Sequence, residues 1–169
     1  MFKDLAGKRV VITGSSTGIG AAVARGFAEA GARVVVHGNS SKAEAKAVVD
    51  GIRAAGGEAH LVLGDVSRTV SAHKVVEEGA AVLGGLDVLI NNAGALVKRA
   101  RLADIDDALY DTVMDLNVRS VIAATQAAIP HLKAAGGGAI INTASIAARN
   151  GGGPGAALYA SAKAFVSNV

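Results

Sequence analysis

The chain has 169 residues, 51% of them hydrophobic, a net charge of +3 and no cysteine. That length suits a single domain with a real core, and the missing cysteine removes disulfides, thiolate metal sites and cysteine nucleophiles. Aromatic residues make up only 3% and the basic residues are spread thinly among acids, so the stacking platforms of a single-strand nucleic-acid binder are missing. Apolar runs are short and broken by charge or glycine, well below the roughly 18–20 residues of a membrane span. No long apolar stretch follows Met1-Phe2-Lys3-Asp4, which speaks against a secretory signal. The expectation is a cytoplasmic protein that meets neither membrane nor nucleic acid.

Along the chain, strands and helices alternate. Residues 8–13 read as a buried strand and 19–30 as a helix, with Ile19, Val23 and Phe27 at four-residue spacing as its apolar face and Gly31 as its C-cap. A second strand over 33–36 leads to a helix over 41–55, closed by Gly56-Gly57. The third strand spans 59–63, and Ser67 or Ser71 caps a helix that lasts to about residue 83. The fourth strand covers 86–90. A long helical stretch runs from about 104 to 133, with Pro130 bending or restarting it. The fifth strand covers 139–143, and a glycine-rich loop leads to a last helix from about 157. This regular alternation, with strands near-continuous in Val and Ile, predicts an α/β fold: a doubly wound, Rossmann-type parallel sheet covered on both faces.

Ligands of such sheets bind beyond the carboxyl ends of the strands, and each strand end here carries a polar or glycine signature. Strand one ends in Thr13-Gly14-Ser15-Ser16-Thr17-Gly18-Ile19-Gly20, a glycine turn opening straight into a helix. Glycines let that backbone turn tightly and approach a ligand, and the helix N-terminus offers free N–H groups to a phosphate. Strand two ends in His37-Gly38-Asn39-Ser40-Ser41-Lys42, strand three in Asp65-Val66, strand four in Asn91-Asn92-Ala93-Gly94, and strand five in Ser145. Any one of these is an ordinary turn; five in succession point to a nucleotide.

Tyr159 and Lys163 stand four apart at the start of the last helix, so their side chains share one face. An ammonium beside a phenol favours the phenolate and makes the tyrosine a usable general acid or base. Ser145 can hydrogen-bond a reacting oxygen. The four histidines, His37, His60, His73 and His131, fall on different elements, and no metal site is expected.

In combination these residues resemble the short-chain dehydrogenase/reductase family. The resemblance covers nearly the whole chain and rests on Thr13-Gly14-x-x-x-Gly18-x-Gly20, Asp65, Asn91-Asn92-Ala93-Gly94, Asn117, Ser145 and Tyr159-x-x-x-Lys163, in that order. It implies an NAD(P)-dependent oxidoreductase moving a hydride between nicotinamide and a carbonyl or secondary alcohol, a small-molecule substrate, and a homo-tetramer or dimer built partly by the helix around Asn117. By the same resemblance Tyr159 moves the proton. Lys163 holds the nicotinamide ribose and assists the tyrosine, Ser145 holds the substrate oxygen, and Asn117 steadies a water that relays protons. The turn Gly14, Ser15, Ser16, Thr17, Gly18, Ile19 and Gly20 contacts the pyrophosphate. Asp65 and Val66 take the adenine, Asn92, Ala93 and Gly94 the ribose.

Cofactor choice falls at the end of strand two. No carboxylate stands there to exclude a 2′-phosphate, and Asn39 and Ser40, with the next helix N-terminus, can receive one. NADP is therefore expected, with NAD as the alternative. Two departures from the family are visible. Ser145 and Tyr159 are 14 apart, one more than the commonest spacing, with Gly151-Gly152-Gly153 between them. Family members also continue well beyond the Tyr–Lys pair, so residues 1–169 read as a single dinucleotide-binding domain, the N-terminal two-thirds of a longer family-type chain. Strand five is then an apolar sheet edge and the Tyr159 helix barely three turns long and weakly held. A dinucleotide-binding domain without turnover is the alternative function. The basic loop with Lys98, Arg99 and Arg101 reads first as an exposed surface, with a dock for an acidic substrate or an acyl-carrier partner as the alternative.

Overall fold

Five parallel strands form one sheet in a computed structural model that describes residues 3–169; Met1 and Phe2, where the reading of no secretory signal begins, lie outside them. The strands are β1 (Arg9–Ile12), β2 (Arg33–Gly38), β3 (Glu58–Leu63), β4 (Val88–Asn91) and β5 (Ala139–Asn142), in the order β3-β2-β1-β4-β5. Their side chains alternate between two buried faces. Val11, Val35 and Leu89 pack under α3 (Thr69–Leu83) and α5 (Ser120–Ala134). Val10, Ile12, Val34, Val36 and Ile90 pack under α1 (Gly18–Glu29) and α2 (Lys42–Ala54). Burying each such side chain contributes about 1.5–3 kcal/mol, which is why a continuous Val/Ile pattern selects a sheet covered on both sides.

The chain winds outward from β1 to β3, then returns to place β4 on the other side of β1. The β1–β4 boundary is therefore the switch point, and its carboxyl end opens a crevice. At the opposite end Arg9 pins the two strands together, donating from Nε and Nη2 to both Asp87 carboxylate oxygens at 2.8 and 2.9 Å. The Arg9 guanidinium and backbone N–H hold the Asp87 carboxyl at about 2, below its ordinary 3.8.

Several local expectations change. The buried face of α1 is Gly20, Ala21, Ala24 and Ala28, not the Ile19–Val23–Phe27 row. Small residues let the helix approach the sheet closely, Val23 and Phe27 pack at its margin, and Ile19 is 69% exposed. Gly31 follows the cap residue Ala30 and takes φ +89°, the left-handed geometry expected of it. Helix α3 begins at Thr69 with Arg68 as N-cap, so neither Ser67 nor Ser71 caps it: Ser67 donates instead to Asp65.

The long helical stretch is three pieces, starting at Asp107 because the Asp106 carboxylate caps it by accepting from the Leu109 N–H at 2.8 Å. Helix α4 (Asp107–Met114) passes through a π-helical turn, Asp115–Arg119, into α5. The break is not at Pro130, which α5 runs through. It lies where the Asn117 side chain donates to the Val113 carbonyl at 2.9 Å, inserting itself into the helical ladder.

A short helix that sequence periodicity does not predict, α6 (Ala147–Asn150), follows β5. Helix α7 (Ala157–Ser167) has the three turns expected, but it is well held: Ala160, Ala162, Lys163 and Val166 are buried, with Ala162 in a cluster with Val113 and Val118. Strand β5 is the sheet edge, and Ile141 on it is 45% exposed. Among the described residues no helix is long and apolar enough to cross a membrane.

Candidate functional site

Above the switch point lies a cleft of about 510 Å³ whose walls come from all five strand ends and the start of α7. Its floor is the glycine turn. Thr13 Oγ1 accepts from the backbone N–H groups of Asn92 and Ala93, each at 3.1 Å, and Asn92 Nδ2 donates to the carbonyls of Thr13 and Gly14 at 3.1 and 2.8 Å. The ends of β1 and β4 are thereby one rigid unit, and the Asn92 side chain braces the turn. A Cβ on Gly14, where φ is +63°, would lie 2.8 Å from Ala93 Cα. Beyond it Thr17 makes no side-chain cap and the first turn of α1 carries no acid. The N–H groups of that turn therefore face the cleft without an internal competitor.

Three of the expected cofactor contacts, Ser15, Gly18 and Ser40, do not line the cleft. Ser15 is fully buried, its hydroxyl donating to the Ile12 carbonyl at 2.7 Å and accepting from the His37 N–H at 2.8 Å. It is a core residue of the turn and does not line the cleft, whereas Gly14, Ser16, Thr17, Ile19 and Gly20 do. At the end of β2 the lining residues are His37, Gly38, Asn39 and Ser41, without Ser40. Ser41 takes its place because its hydroxyl donates to Ser16 Oγ at 2.7 Å, drawing the start of α2 toward the turn.

His37 is a site residue that sequence reasoning passed over. It is 2% exposed and lines the cleft. Its Nδ1 accepts from the Gly14 N–H at 2.9 Å, which leaves Nε2 to donate to the Gly64 carbonyl at 2.9 Å. Burial pushes the imidazole below its ordinary 6.5, partly opposed by the Gly64 carbonyl and Asp65. The folded protein holds the ring neutral while the unfolded chain takes up a proton, so this stability is present above 6.5 and is lost as pH falls below it. Replacing His37 with leucine leaves the Gly14 N–H and Gly64 carbonyl unpaired and should cost about 1–3 kcal/mol at neutral pH. Urea unfolding of both proteins between about pH 7 and about pH 5 checks this, the gap narrowing toward acid. A gap that is constant with pH argues against the neutral, bonded ring. The sequence signal was a histidine, with its two nitrogens, directly after a buried Val run.

Asp65 and Val66 line the cleft beyond β3, and Asp65 Oδ1 accepts from the Ser67 N–H and hydroxyl at 3.0 and 2.7 Å. On the other side Ala93, Gly94, Ser145, Tyr159 and Lys163 come together. Lys163 is 4% exposed. Its Nζ donates to the Thr143 carbonyl at 2.8 Å and lies 5.9 Å from the centre of the Tyr159 ring. Burial lowers its affinity for a proton below the ordinary lysine value. Ser145 Oγ accepts from the Ala147 N–H at 3.2 Å, which anchors it at the start of α6.

Asn117 stands behind this wall, fully buried and outside the cleft lining. Its amide pairs with the Ala95 backbone, Oδ1 accepting from the N–H at 3.2 Å and Nδ2 donating to the carbonyl at 2.9 Å. Gly94 is the meeting point, since a Cβ there would lie 2.7 Å from Asn117 Oδ1 and 3.1 Å from Lys163 Nζ. Asn91 ties β4 to its neighbours, donating to Thr125 and Asn142 at 3.1 and 2.9 Å. Among the described residues no three His, Asp or Glu side chains are placed to hold a metal.

Known proteins share this arrangement. The family model for short chain dehydrogenases matches residues 8–169. An uncharacterized oxidoreductase of Methylorubrum extorquens is 47% identical over 145 residues, covering 86% of this chain and 57% of that protein. The crystal structure of the NADH-dependent reductase A1-R′ complexed with NAD superposes with a TM-score of 0.93 at 46% identity, covering 99% of this chain and 72% of that one. A short chain dehydrogenase from Burkholderia cenocepacia in complex with NADP superposes at 0.90 with 40% identity, covering 97% and 66%. The chain thus spans a little under three-fifths of the oxidoreductase's length and more of the two solved structures. On sequence, fold and cleft together, the chain belongs to the short-chain dehydrogenase family.

Proposed function

We propose that the protein is an oxidoreductase that interconverts a carbonyl and a secondary alcohol, with NADP as the preferred cofactor and NAD as the alternative. The observation that carries this reading is that one cleft holds both an uncapped helix N-terminus behind a glycine turn and the trio Ser145, Tyr159 and Lys163. The dinucleotide, when bound, supplies or accepts the hydride.

The chain's own residues do the rest. First-turn N–H groups of α1 hold phosphate, and Gly14 and Gly94 let the walls close where a Cβ would strike Ala93 or Asn117 and Lys163. Asp65 and Val66 meet the adenine, and Ala93 and Gly94 the ribose. Tyr159 gives a proton to the reacting oxygen or takes one from it, and Ser145 donates a hydrogen bond to the same oxygen. Preorganised donors of this kind lower barriers strongly. The buried Lys163 ammonium stands 5.9 Å from the centre of the Tyr159 ring, and its N–H groups not directed at Thr143 serve the ribose hydroxyls. Asn117, locked to Ala95, fixes the wall through which Lys163 exchanges protons with a relay water.

The NADP preference rests on the end of β2, where Gly38, Asn39, Ser41 and the facing Ser16 line the cleft with no carboxylate among them. One superposed structure holds NAD and the other NADP, so the likeness does not decide between them. Titrating the protein with NADPH and NADH, followed by cofactor fluorescence, does so. Tighter NADPH binding is expected, by about tenfold, and tighter NADH binding overturns the preference. A binding domain without turnover is separated by NADPH oxidation over a panel of ketones.

A further inference from the structure

We infer that Arg99 and the bent segment before it form a clasp that sets the position of Tyr159 against Ser145, which makes Arg99 a positioning residue; this rests on the oxidoreductase reading above. The link between Ser145 and Tyr159 is rich in glycine. Gly151, Gly152, Gly153 and Gly155 all take positive φ, between 70° and 80°. Glycines lose the most conformational freedom on ordering, and the loop's own backbone bonds within 151–156 are few.

Order comes from outside. Arg99 Nη1 donates to the Pro154 carbonyl at 2.7 Å and to the Gly152 carbonyl at 3.2 Å, and the Ala100 N–H donates to the Gly155 carbonyl at 3.0 Å. Contact is close enough that a Cβ on Gly155 would lie 3.1 Å from both Ala100 N and Arg99 Cβ. The other end of the clasp is Ala95, gripped on N–H and carbonyl by Asn117. Between the two anchors the Lys98 N–H donates to the Leu96 carbonyl at 2.8 Å around Val97, whose φ is +64°. This is a three-residue turn of the strained kind, at a β-branched residue that rarely adopts it. Such a conformation persists only where its surroundings over-determine it, and here both ends are tied. Arg99 Nη1 is therefore committed to the glycine loop, and Arg101 is paired with Asp104 at 2.6 Å.

The test compares Arg99→Gln and Arg99→Lys with the parent protein. Hydrogen exchange of residues 150–158 should rise about tenfold in Arg99→Gln, while residues 13–24 stay within about twofold. Turnover should fall about tenfold with the cofactor KM unchanged, and Arg99→Lys should recover part of it, because an ammonium can donate to the same carbonyls but from a shorter side chain. The chain has two tyrosines and no tryptophan, so in a Tyr110→Phe background Tyr159 emission alone reports its surroundings. Arg99→Gln should raise its quenching by acrylamide about twofold. Unchanged exchange, or faster exchange with unchanged Tyr159 quenching, overturns the clasp. If the parent protein turns over no substrate, the oxidoreductase reading fails, and exchange and quenching still decide the clasp on their own.

Discussion

Replacing Gly20 with alanine is expected to weaken dinucleotide binding by about a hundredfold or more, roughly 2.7 kcal/mol. A Cβ at this position would lie 2.4 Å from the Gly14 carbonyl oxygen, 2.5 Å from Asn92 Nδ2 and 2.8 Å from Ser15 Cα. None of these is the loose end of a flexible side chain. Asn92 Nδ2 is itself bonded to the Thr13 and Gly14 carbonyls, and the other two atoms are backbone. The start of α1 must move away from the turn, taking the N–H groups proposed to hold phosphate with it. Gly26 in the same helix supplies the control, because a Cβ there meets nothing within 4 Å. Gly26→Ala should leave binding unchanged and raise stability by about 0.5–1 kcal/mol through helix propensity. Fluorescence titration with NADPH and thermal melts on both variants make the comparison. Equal loss at both sites would mean that binding follows overall stability, not the turn.

The second large effect is expected at Tyr159. Changing it to phenylalanine removes one oxygen and leaves the ring that lies near Lys163. Turnover should fall by about two to four orders of magnitude, the range for losing a positioned proton donor. Cofactor affinity should change far less, because the turn, Asp65 and Gly94 are untouched. A parallel loss of affinity and rate would assign Tyr159 to binding.

Much of the architecture was legible in the sequence because it is set by near-neighbour chemistry. Runs such as Val10-Val11-Ile12 and Val34-Val35-Val36 can be buried on both faces only in a covered sheet. A glycine turn between strand and helix is ordinary by itself and gains meaning from the four other polar strand ends, and Gly14 and Gly18 do adopt positive φ. What escaped depends on partners far apart in the chain. Ser15 and Ser16 are the same residue type side by side, yet the 22-residue separation to His37 decides that Ser15 is buried while Ser16 faces the cleft. Ile19 fits a helix stripe by spacing, but the close approach of α1 through Gly20 and Ala24 leaves it exposed at the cleft. Pro130 is the irregularity that the sequence offers in this helical stretch. The actual one arises at Asn117, whose amide reaches back to Val113 and across to Ala95. Arg99 reads as one of three surface cations until the carbonyls of Gly152 and Pro154 are seen beside it.

One cleft is proposed to serve both cofactor binding and proton transfer, and Tyr159→Phe separates the two when binding and turnover are measured on the same sample. The expected result is NADPH affinity within about threefold of the parent protein, together with ketone-dependent oxidation reduced by about a hundredfold or more. Turnover that survives the substitution would contradict the account, because the proton would then pass through some group other than the phenol this cleft presents.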